Sequence, residues 1–266
     1  MTAMATITDK SDPAVQRILD ITKPSRANIK TALIEDIEPI SHSLRAGLEF
    51  IEIYATEKNP LPDDVAALAQ SRGIPIRLMD AAVLNHVFKA EKKPKVFAIA
   101  RVPQPYRFAD TETKPGDLVV LDGVKIVGNI GAIIRTSYAL GVSGIVLVDS
   151  DLTSIADRRL VRASRGYVFS LPIVLAERAE AAKYLTESGL PMVVFDADGE
   201  ITLGELDRRD ERLALLFGSE KTGPSDGFGG VRRLTVSIPM AEAAESLNVS
   251  VAAGIALYQR SLRAAN

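Results

Sequence analysis

The sequence predicts an α/β protein whose C-terminal half contains a mostly parallel sheet. Two continuously apolar runs, at residues 118–121 and 145–148, are typical of strands that are buried on both faces. Helix-like stretches separate the predicted strands, which is the pattern of a parallel sheet covered by helices. Polar, glycine-containing loops follow several strands, at the edge where such sheets usually bind ligands.

The N-terminal part is predicted to form a small α/β domain at residues 1–105. Short apolar runs predict strands at residues 50–55, 74–78 and 96–102. Between and before them, helices are predicted at residues 13–20, 36–46, 62–71 and 80–88. Pro62 followed by two acids is a signal for a helix start. A stretch rich in proline and glycine then predicts a linker at residues 106–116.

The C-terminal part, residues 117–266, is predicted to form a second and larger domain. Strands are predicted at residues 117–121, 144–148, 191–195, 213–217 and 234–238. Helices are predicted at residues 131–140, 155–165, 177–188 and 247–263. Both domains fall within the usual size range of independent domains.

The composition excludes several classes of site. The 266 residues include no cysteine, so the chain has neither disulfides nor thiolate metal sites. His42 and His86 are its only histidines and lie far apart, so we expect no metal and no triad built on histidine. Residues 1–12 are polar, and no apolar run is long enough to span a bilayer. We therefore expect a cytoplasmic protein without a membrane partner.

The formal net charge is only −2, yet basic residues cluster locally. One cluster includes Lys89, Lys92 and Lys93, and a second consists of Arg158, Arg159, Arg162 and Arg165. Basic patches on a nearly neutral protein are consistent with RNA contact, and equally with solvated surface.

Three loops in the C-terminal part carry most of the chemical information. The first loop, residues 122–135, contains Asn129, Gly131 and Arg135. It lacks the dinucleotide-binding fingerprint, because Ile126 stands where that motif requires glycine. The second loop, residues 218–224, resembles a phosphate-binding P-loop only superficially, because Pro224 breaks the required spacing.

The third loop, residues 238–248, begins with Ile238, Pro239 and Met240 and ends with Ser246, Leu247 and Asn248. We expect Ser246 to cap the helix that starts near Leu247. Asn248 can hydrogen-bond either a ligand or its own backbone. Taken alone, each loop also fits a structural turn or a helix cap.

Together, the segments Asn129–Arg135, Leu216–Pro224 and Ile238–Ser250 resemble the three signature motifs of the SpoU class of the SPOUT RNA methyltransferases. The N-terminal half, with its segments at residues 11–17 and 22–26, is similar to the thiostrepton- and nosiheptide-resistance ribosomal RNA 2′-O-methyltransferases. The resemblance implies a trefoil knot in the parallel sheet, a homodimer, and an N-terminal RNA-binding domain of ribosomal-protein type.

The resemblance also implies S-adenosylmethionine as cofactor and roles for particular residues. Arg135 would act on the ribose hydroxyl, either as a base or, because a guanidinium is costly to deprotonate, electrostatically. The residues that would orient Arg135 and the hydroxyl are Asn129, Glu220, Ser246 and Asn248. The residues that would hold the cofactor are Phe195, Gly218, Glu220, Ile238, Met240, Ser246 and Leu247.

RNA contact is expected from Arg26, Lys30, Lys89, Lys92, Lys93, Arg162 and Arg165. Arg165 is expected to contact phosphate, and in a homodimer it could contact RNA that is bound to the other subunit. The resemblance implies methylation of an adenosine ribose in a 23S rRNA hairpin of the GTPase-associated centre, giving thiopeptide resistance. Three alternatives stay open: a tRNA 2′-O-methyltransferase of the same class, a non-catalytic RNA-binding protein, and a nucleotide-dependent oxidoreductase.

Overall fold

The structure, a computed structural model, describes residues 6–22, 30–88, 93–196, 198–206, 211–219, 226–241 and 244–262. The elements of the N-terminal part are, in chain order, α1 (Pro13–Thr22), β1 (Thr31–Glu35), α2 (Ile37–Arg45), β2 (Phe50–Ala55), α3 (Asp63–Ser71), β3 (Ile76–Leu78), α4 (Ala81–Val87) and β4 (Phe97–Arg101).

The C-terminal part continues with β5 (Leu118–Asp122), α5 (Val127–Ala139), β6 (Gly144–Val148), α6 (Arg158–Ala163), β7 (Ile173–Ala176), α7 (Arg178–Ser188), β8 (Met192–Phe195), β9 (Ile201–Thr202), α8 (Leu203–Leu206), β10 (Ala214–Gly218), β11 (Arg233–Ser237) and α9 (Val249–Ser261). Short 3-10 helices occur at Phe108–Glu112, Tyr167–Phe169 and Asp226–Phe228.

The chain divides into two compact units that are not both continuous in sequence. The first unit consists of Met1–Gln104 and Ala156–Phe169, and the second of Pro105–Ile155 and Ser170–Asn266. The inserted segment Ala156–Phe169, which carries α6, thus packs within the first unit although it lies inside the range 117–266 predicted for the second domain.

The first unit contains a four-stranded sheet in the order β1-β4-β2-β3. In it, β4 pairs antiparallel with β1 and β2, and β2 pairs parallel with β3. Its core includes the stacked rings of Tyr54 and Phe97, whose centroids lie 4.9 Å apart. The inserted segment is anchored to this unit by Arg158, which donates hydrogen bonds to both carboxylate oxygens of the buried Glu35, one of them at 2.6 Å.

The second unit contains a sheet of seven described strands in the order β7-β6-β5-β10-β8-β11-β9. Every pairing within it is parallel, which confirms the predicted sheet. Every residue of β5 and β6 is buried, as their continuously apolar sequences predict. At the opposite end of the sheet from the loops, Arg260 of α9 pairs with Asp117 at 2.6 Å and fixes the last helix to the start of β5.

Several elements differ from the predicted ones. The strands β1, β7 and β9 have no predicted counterpart; each is five residues or shorter and is followed by a helix within two residues. Helix α5 begins at Val127, four residues before the predicted start, so Asn129 lies in its first turn. Helix α6 ends at Ala163, which leaves Arg165 beyond it in a left-handed conformation with φ 52°.

Candidate active site

The starts of the first and second loops lie side by side because the strands that precede them are neighbours. β5 and β10 pair in parallel, with Asp122 opposite Gly218 at their C-terminal ends. The next residue, Gly123, has φ +70°, and a Cβ built on it would lie 3.7 Å from the Cβ of Ser219. The turn out of β5 therefore runs directly against the start of the second loop.

The residues expected to hold a cofactor converge on the same edge of the sheet. β8 lies between β10 and β11, and Phe195 on β8 stacks on Phe217 of β10 with ring centroids 4.6 Å apart. Gly218 ends β10, while Ile238 and Met240 follow the end of β11. Phe195, Gly218, Ile238 and Met240 are all half-buried, so the edge presents apolar surface and accessible backbone together.

The first and third loops meet through two asparagines. Asn248 donates a hydrogen bond from its Nδ2 to Oδ1 of Asn129 at 3.3 Å, although the two are 119 residues apart in sequence. Asn248 also caps α9, since its Oδ1 accepts the backbone N–H of Ser250 at 2.9 Å. Helices α5 and α9 pack against each other, so this contact joins the starts of two packed helices.

The prediction that Ser246 caps the last helix is wrong. Helix α9 begins at Val249, and Asn248 occupies the capping position and supplies the capping oxygen. Ser246 lies two residues before the cap in an irregular, exposed stretch, and the neighbouring Leu247 is half-buried. An asparagine side chain caps as well as serine does, so the capping residue was decided by where the helix starts.

Arg135 lies on α5 and is half-buried. It follows Gly131 by one helical turn and Gly128 by two. Helical side chains lean towards the N-terminus of their helix, so we expect the guanidinium to point towards these glycines and the loop edge. Within the described part of the chain, no carboxylate or carbonyl oxygen accepts a hydrogen bond from Arg135. A half-buried cation without a protein partner is expected to bind an anionic or polar ligand.

The expected RNA-binding residues that the structure describes all belong to the first unit. Lys30 and Arg162 are exposed, and Lys93 donates a hydrogen bond to Asn85 at 2.7 Å. Arg165 is exposed and pairs with Glu38 at 3.0 Å. Four of the predicted site residues, Arg26, Lys89, Lys92 and Glu220, lie outside the described residues.

The sequence motifs did not single out two residues at the loop edge, Asp122 and Arg178. The Asp122 carboxylate, of which 1% is exposed, accepts hydrogen bonds from Nε and Nη2 of Arg178 at 3.1 and 2.8 Å. The dipeptide Asp122-Gly123 indicated a turn, but nothing in the sequence indicated that the carboxylate would be buried. Its partner lies 56 residues further along the chain, beyond the reach of any local pattern.

The described residues were also searched for two other kinds of feature. They contain no helix that is both long and apolar enough to cross a membrane. They also contain no group of three or more histidine, cysteine, aspartate or glutamate residues placed to hold a metal ion.

Known families match nearly the whole chain. Residues 4–114 match the family described as "Thiostrepton-resistance methylase, N terminus", and residues 117–258 match the "SpoU rRNA Methylase family". A protein of Streptomyces laurentii named 23S rRNA (adenosine(1067)-2'-O)-methyltransferase is 63% identical over 99% of this chain and 97% of its own. A protein of the same name from Streptomyces azureus is 60% identical over 98% and 97%.

Solved structures show the same fold. The AdoMet-bound rRNA methyltransferase of Sinorhizobium meliloti is 26% identical and covers 98% of both chains with a TM-score of 0.79. The SpoU methyltransferase AviRb of Streptomyces viridochromogenes, in complex with AdoMet, is 25% identical over 96% of this chain and 99% of its own, with a TM-score of 0.77. The chain belongs to the SpoU rRNA methylase family, in its thiostrepton-resistance branch.

Proposed function

We propose that the protein transfers a methyl group from S-adenosylmethionine to the 2′-hydroxyl of an adenosine in 23S rRNA, and so confers resistance to thiopeptide antibiotics such as thiostrepton and nosiheptide. The two most similar relatives described above are named for this reaction at adenosine 1067 and match over nearly their full length. The substrate is ribosomal, so we place the enzyme in the cytoplasm.

The observation that carries the proposal is that Arg135, half-buried on α5, has no hydrogen-bond or ion-pair partner among the described residues, while Asn129 and Asn248 join the starts of α5 and α9. If α5 had only a structural role, we would expect an arginine at position 135 to be either fully exposed to solvent or paired with a carboxylate. An enzyme that acts on the sugar–phosphate backbone needs a cation that is free to bind phosphate or a developing oxyanion.

The residues at the loop edge fit S-adenosylmethionine. Half-buried apolar groups at the ends of β8 and β11 suit its adenine and methionine carbons, and the accessible backbone at Gly218 supplies polar contacts. We assign Phe195, Gly218, Ile238, Met240 and Leu247 to cofactor binding, with Glu220 and Ser246 as further candidates. When bound, the cofactor supplies the electrophilic methyl group.

The protein then supplies placement and electrostatics. The positive charge of the Arg135 guanidinium stabilises negative charge that develops on the 2′-oxygen. Asn129 and Asn248 hold each other by their hydrogen bond and orient the ribose. Alignment of the hydroxyl with the methyl group can supply about 7–11 kcal/mol of the barrier.

RNA recognition belongs, in this proposal, to the first unit. Lys30, Lys93, Arg162 and Arg165 contact phosphates there, with Arg26, Lys89 and Lys92 as further candidates. Because Ala156–Phe169 packs within the first unit, both basic clusters of the sequence are carried by one unit. Phosphate contacts position an RNA, while splayed bases and shape specify it.

We also propose a homodimer and a trefoil knot in the second unit. The surface of α5 and α9 exposes several large apolar side chains: Tyr138, Val251, Ile255, Tyr258 and Leu262. An apolar patch of this kind on a soluble protein typically marks an interface. The fully buried Ala253 and Ala256 of α9 fit close packing against threaded backbone.

The proposal is tested by incubating the protein with labelled S-adenosylmethionine and a panel of rRNA hairpins and tRNA. We expect label on one adenosine ribose of the 23S hairpin, mapped by primer extension, and none on tRNA. Label on tRNA alone would instead assign the protein to the tRNA enzymes of the same class.

A further inference from the structure

Arg178, the first residue of α7, touches three separate segments at the loop edge of the second unit. It donates two hydrogen bonds to the buried carboxylate of Asp122 at the end of β5. Its Nη2 lies 2.5 Å from Oδ2 of Asp149, which directly follows β6. Its side chain also lies under Gly227 in the 3-10 helix that follows the second loop.

The contact with Gly227 leaves no space between the two residues. A Cβ built on Gly227 would lie 2.1 Å from Cδ and 3.1 Å from Cγ of Arg178. The backbone at Gly227 therefore rests directly on the aliphatic part of the arginine. The next residue, Phe228, is buried in the core, which presses this short helix against the sheet.

The arginine is held in place by its charge partners. Asp122 is almost fully buried and has to be compensated, because an unpaired buried carboxylate is strongly unfavourable. The hydrogen bonds that Arg178 donates to Asp122 raise the pKa of the Arg178 guanidinium above its usual value, and the charge of Asp149 adds to this effect. Asp149 itself has a left-handed backbone, with φ 50°, which the ion pair helps to maintain.

The same network reaches the residues assigned to the cofactor. Asp122 lies opposite Gly218 in the parallel pairing of β5 with β10, and the adjoining Gly123 runs against Ser219. The chain on both sides of residues 220–225 is thus in contact with Arg178 or with its partner.

We propose that Arg178 is a positioning residue for the cofactor site, fixing Gly218 and Ser219 through Asp122 and fixing Gly227 by direct contact. Arg178 touches neither the methyl donor nor the ribose in this proposal. The positioning role rests on the proposed function in one respect, namely that S-adenosylmethionine binds at this edge.

The first test is Arg178→Lys, measured on the full-length protein. Lysine keeps the positive charge beside Asp122, but it cannot donate to two carboxylates through a planar fork. We expect the Kd for S-adenosylmethionine, measured by calorimetry, to rise about tenfold, because small misplacements at a binding site weaken it strongly. The KM for the cofactor should rise in parallel, while kcat at saturating cofactor and the Kd for RNA stay within about twofold.

The second test is Gly227→Ala, whose new methyl group would clash with the Arg178 side chain. It should also raise the Kd for the cofactor, and combining it with Arg178→Lys should give less than the sum of the two effects. The matched controls are Arg233→Lys, at an exposed arginine on β11, and Gly204→Ala, where a Cβ meets nothing closer than 4.0 Å. Both controls should bind the cofactor as the unmodified protein does.

The outcomes separate this proposal from the proposed function. If the unmodified protein binds no S-adenosylmethionine, both are wrong. If it binds the cofactor and folded Arg178→Lys and Gly227→Ala bind it equally well, the positioning role is wrong and the function stands. A lowered melting temperature with unchanged cofactor Kd would likewise reduce Arg178 to a structural role and overturn the proposal.

Discussion

At the scale of single residues, we assign the chemistry to Arg135, a cation for which the described residues provide no hydrogen-bond acceptor. Two other arginines beside the second unit's sheet form ion pairs: Arg178 binds Asp122, and Arg260 binds Asp117. Arg135 differs, since the described residues offer it no acceptor. An arginine that is already placed, half-buried and uncommitted needs little reorganisation to stabilise charge in a transition state.

We therefore predict that Arg135→Ala loses most of its methylation activity. The expected decrease in kcat is about 100-fold to 1,000-fold, the effect of removing one preorganised charge stabiliser. The Kd for S-adenosylmethionine should change little, because Arg135 is not assigned to cofactor binding. The control is Arg233→Ala at an exposed position on β11, which should stay fully active. Near-normal turnover by Arg135→Ala would contradict the assignment.

The sequence proposed individual site residues where a motif carried them, and it gave no signal for contacts that only folding brings together. Asn129 and Asn248 stood out from their motifs, and the structure adds that they hydrogen-bond each other. Ser246 was assigned a cap that Asn248 provides, because the start of α9 differs by two residues from the predicted one. Arg178 was not detected at all, since its role depends on contacts with distant loops.

At the scale of elements, we assign two different functions to the packed pair α5 and α9. One end of the pair joins Asn129 to Asn248 at the proposed active site. Its outer surface exposes Tyr138, Val251 and Tyr258, of which Tyr258 is 58% exposed. Each such side chain that is fully buried against a second copy of the chain would stabilise a dimer by about 1.5–3 kcal/mol.

We predict that Tyr258→Glu converts the dimer to a monomer. A carboxylate in the middle of an apolar interface costs far more than the lost tyrosine contact. Analytical ultracentrifugation should show a dimer for the unmodified protein and for Ala179→Glu, a control at an exposed position of α7. If Tyr258→Glu remains a dimer, the interface lies elsewhere.

The elements themselves were predictable in proportion to their length and pattern. Strands β5 and β6 were evident from continuous apolar runs, and their parallel pairing followed from the helices between them. Strand β7 was not detected because it is only four residues long and a single residue, Glu177, separates it from α7. Helix α5 was predicted too short, because Gly128 and Gly131 indicated a loop where the structure has a helix.

At the scale of the whole molecule, the first unit includes a segment from the later part of the sequence, and no sequence pattern indicated this. The inserted segment Ala156–Phe169 leaves the second unit after β6 and returns before β7, yet its α6 packs on β1 and its 3-10 helix on α2. Leu160, Val161 and Val168 are fully buried in this arrangement. The predicted ranges 1–105 and 117–266 are each continuous in sequence, so they could not assign this inserted segment to the first unit.

We predict that a truncated chain beginning at residue 105 is destabilised because its segment Ala156–Phe169 lacks the first unit to pack against. Without the first unit, Leu160, Val161, Val168 and Phe169 would be exposed, which lowers the melting temperature and creates a site for hydrophobic dyes. A second truncation that replaces residues 156–169 by a glycine-serine linker should melt higher and bind no dye. Equal behaviour of the two truncations would show that the inserted segment does not depend on the first unit.

The central claim is that one 2′-hydroxyl of 23S rRNA receives the methyl group. The most direct measurement compares two synthetic hairpins that differ by a single oxygen atom, one with the target adenosine and one with 2′-deoxyadenosine at that position. With labelled S-adenosylmethionine, we expect the first hairpin to take up one methyl group per molecule and the second to take up none. Equal labelling of both hairpins would contradict the account, because the methyl group would then be on a base or on another nucleotide.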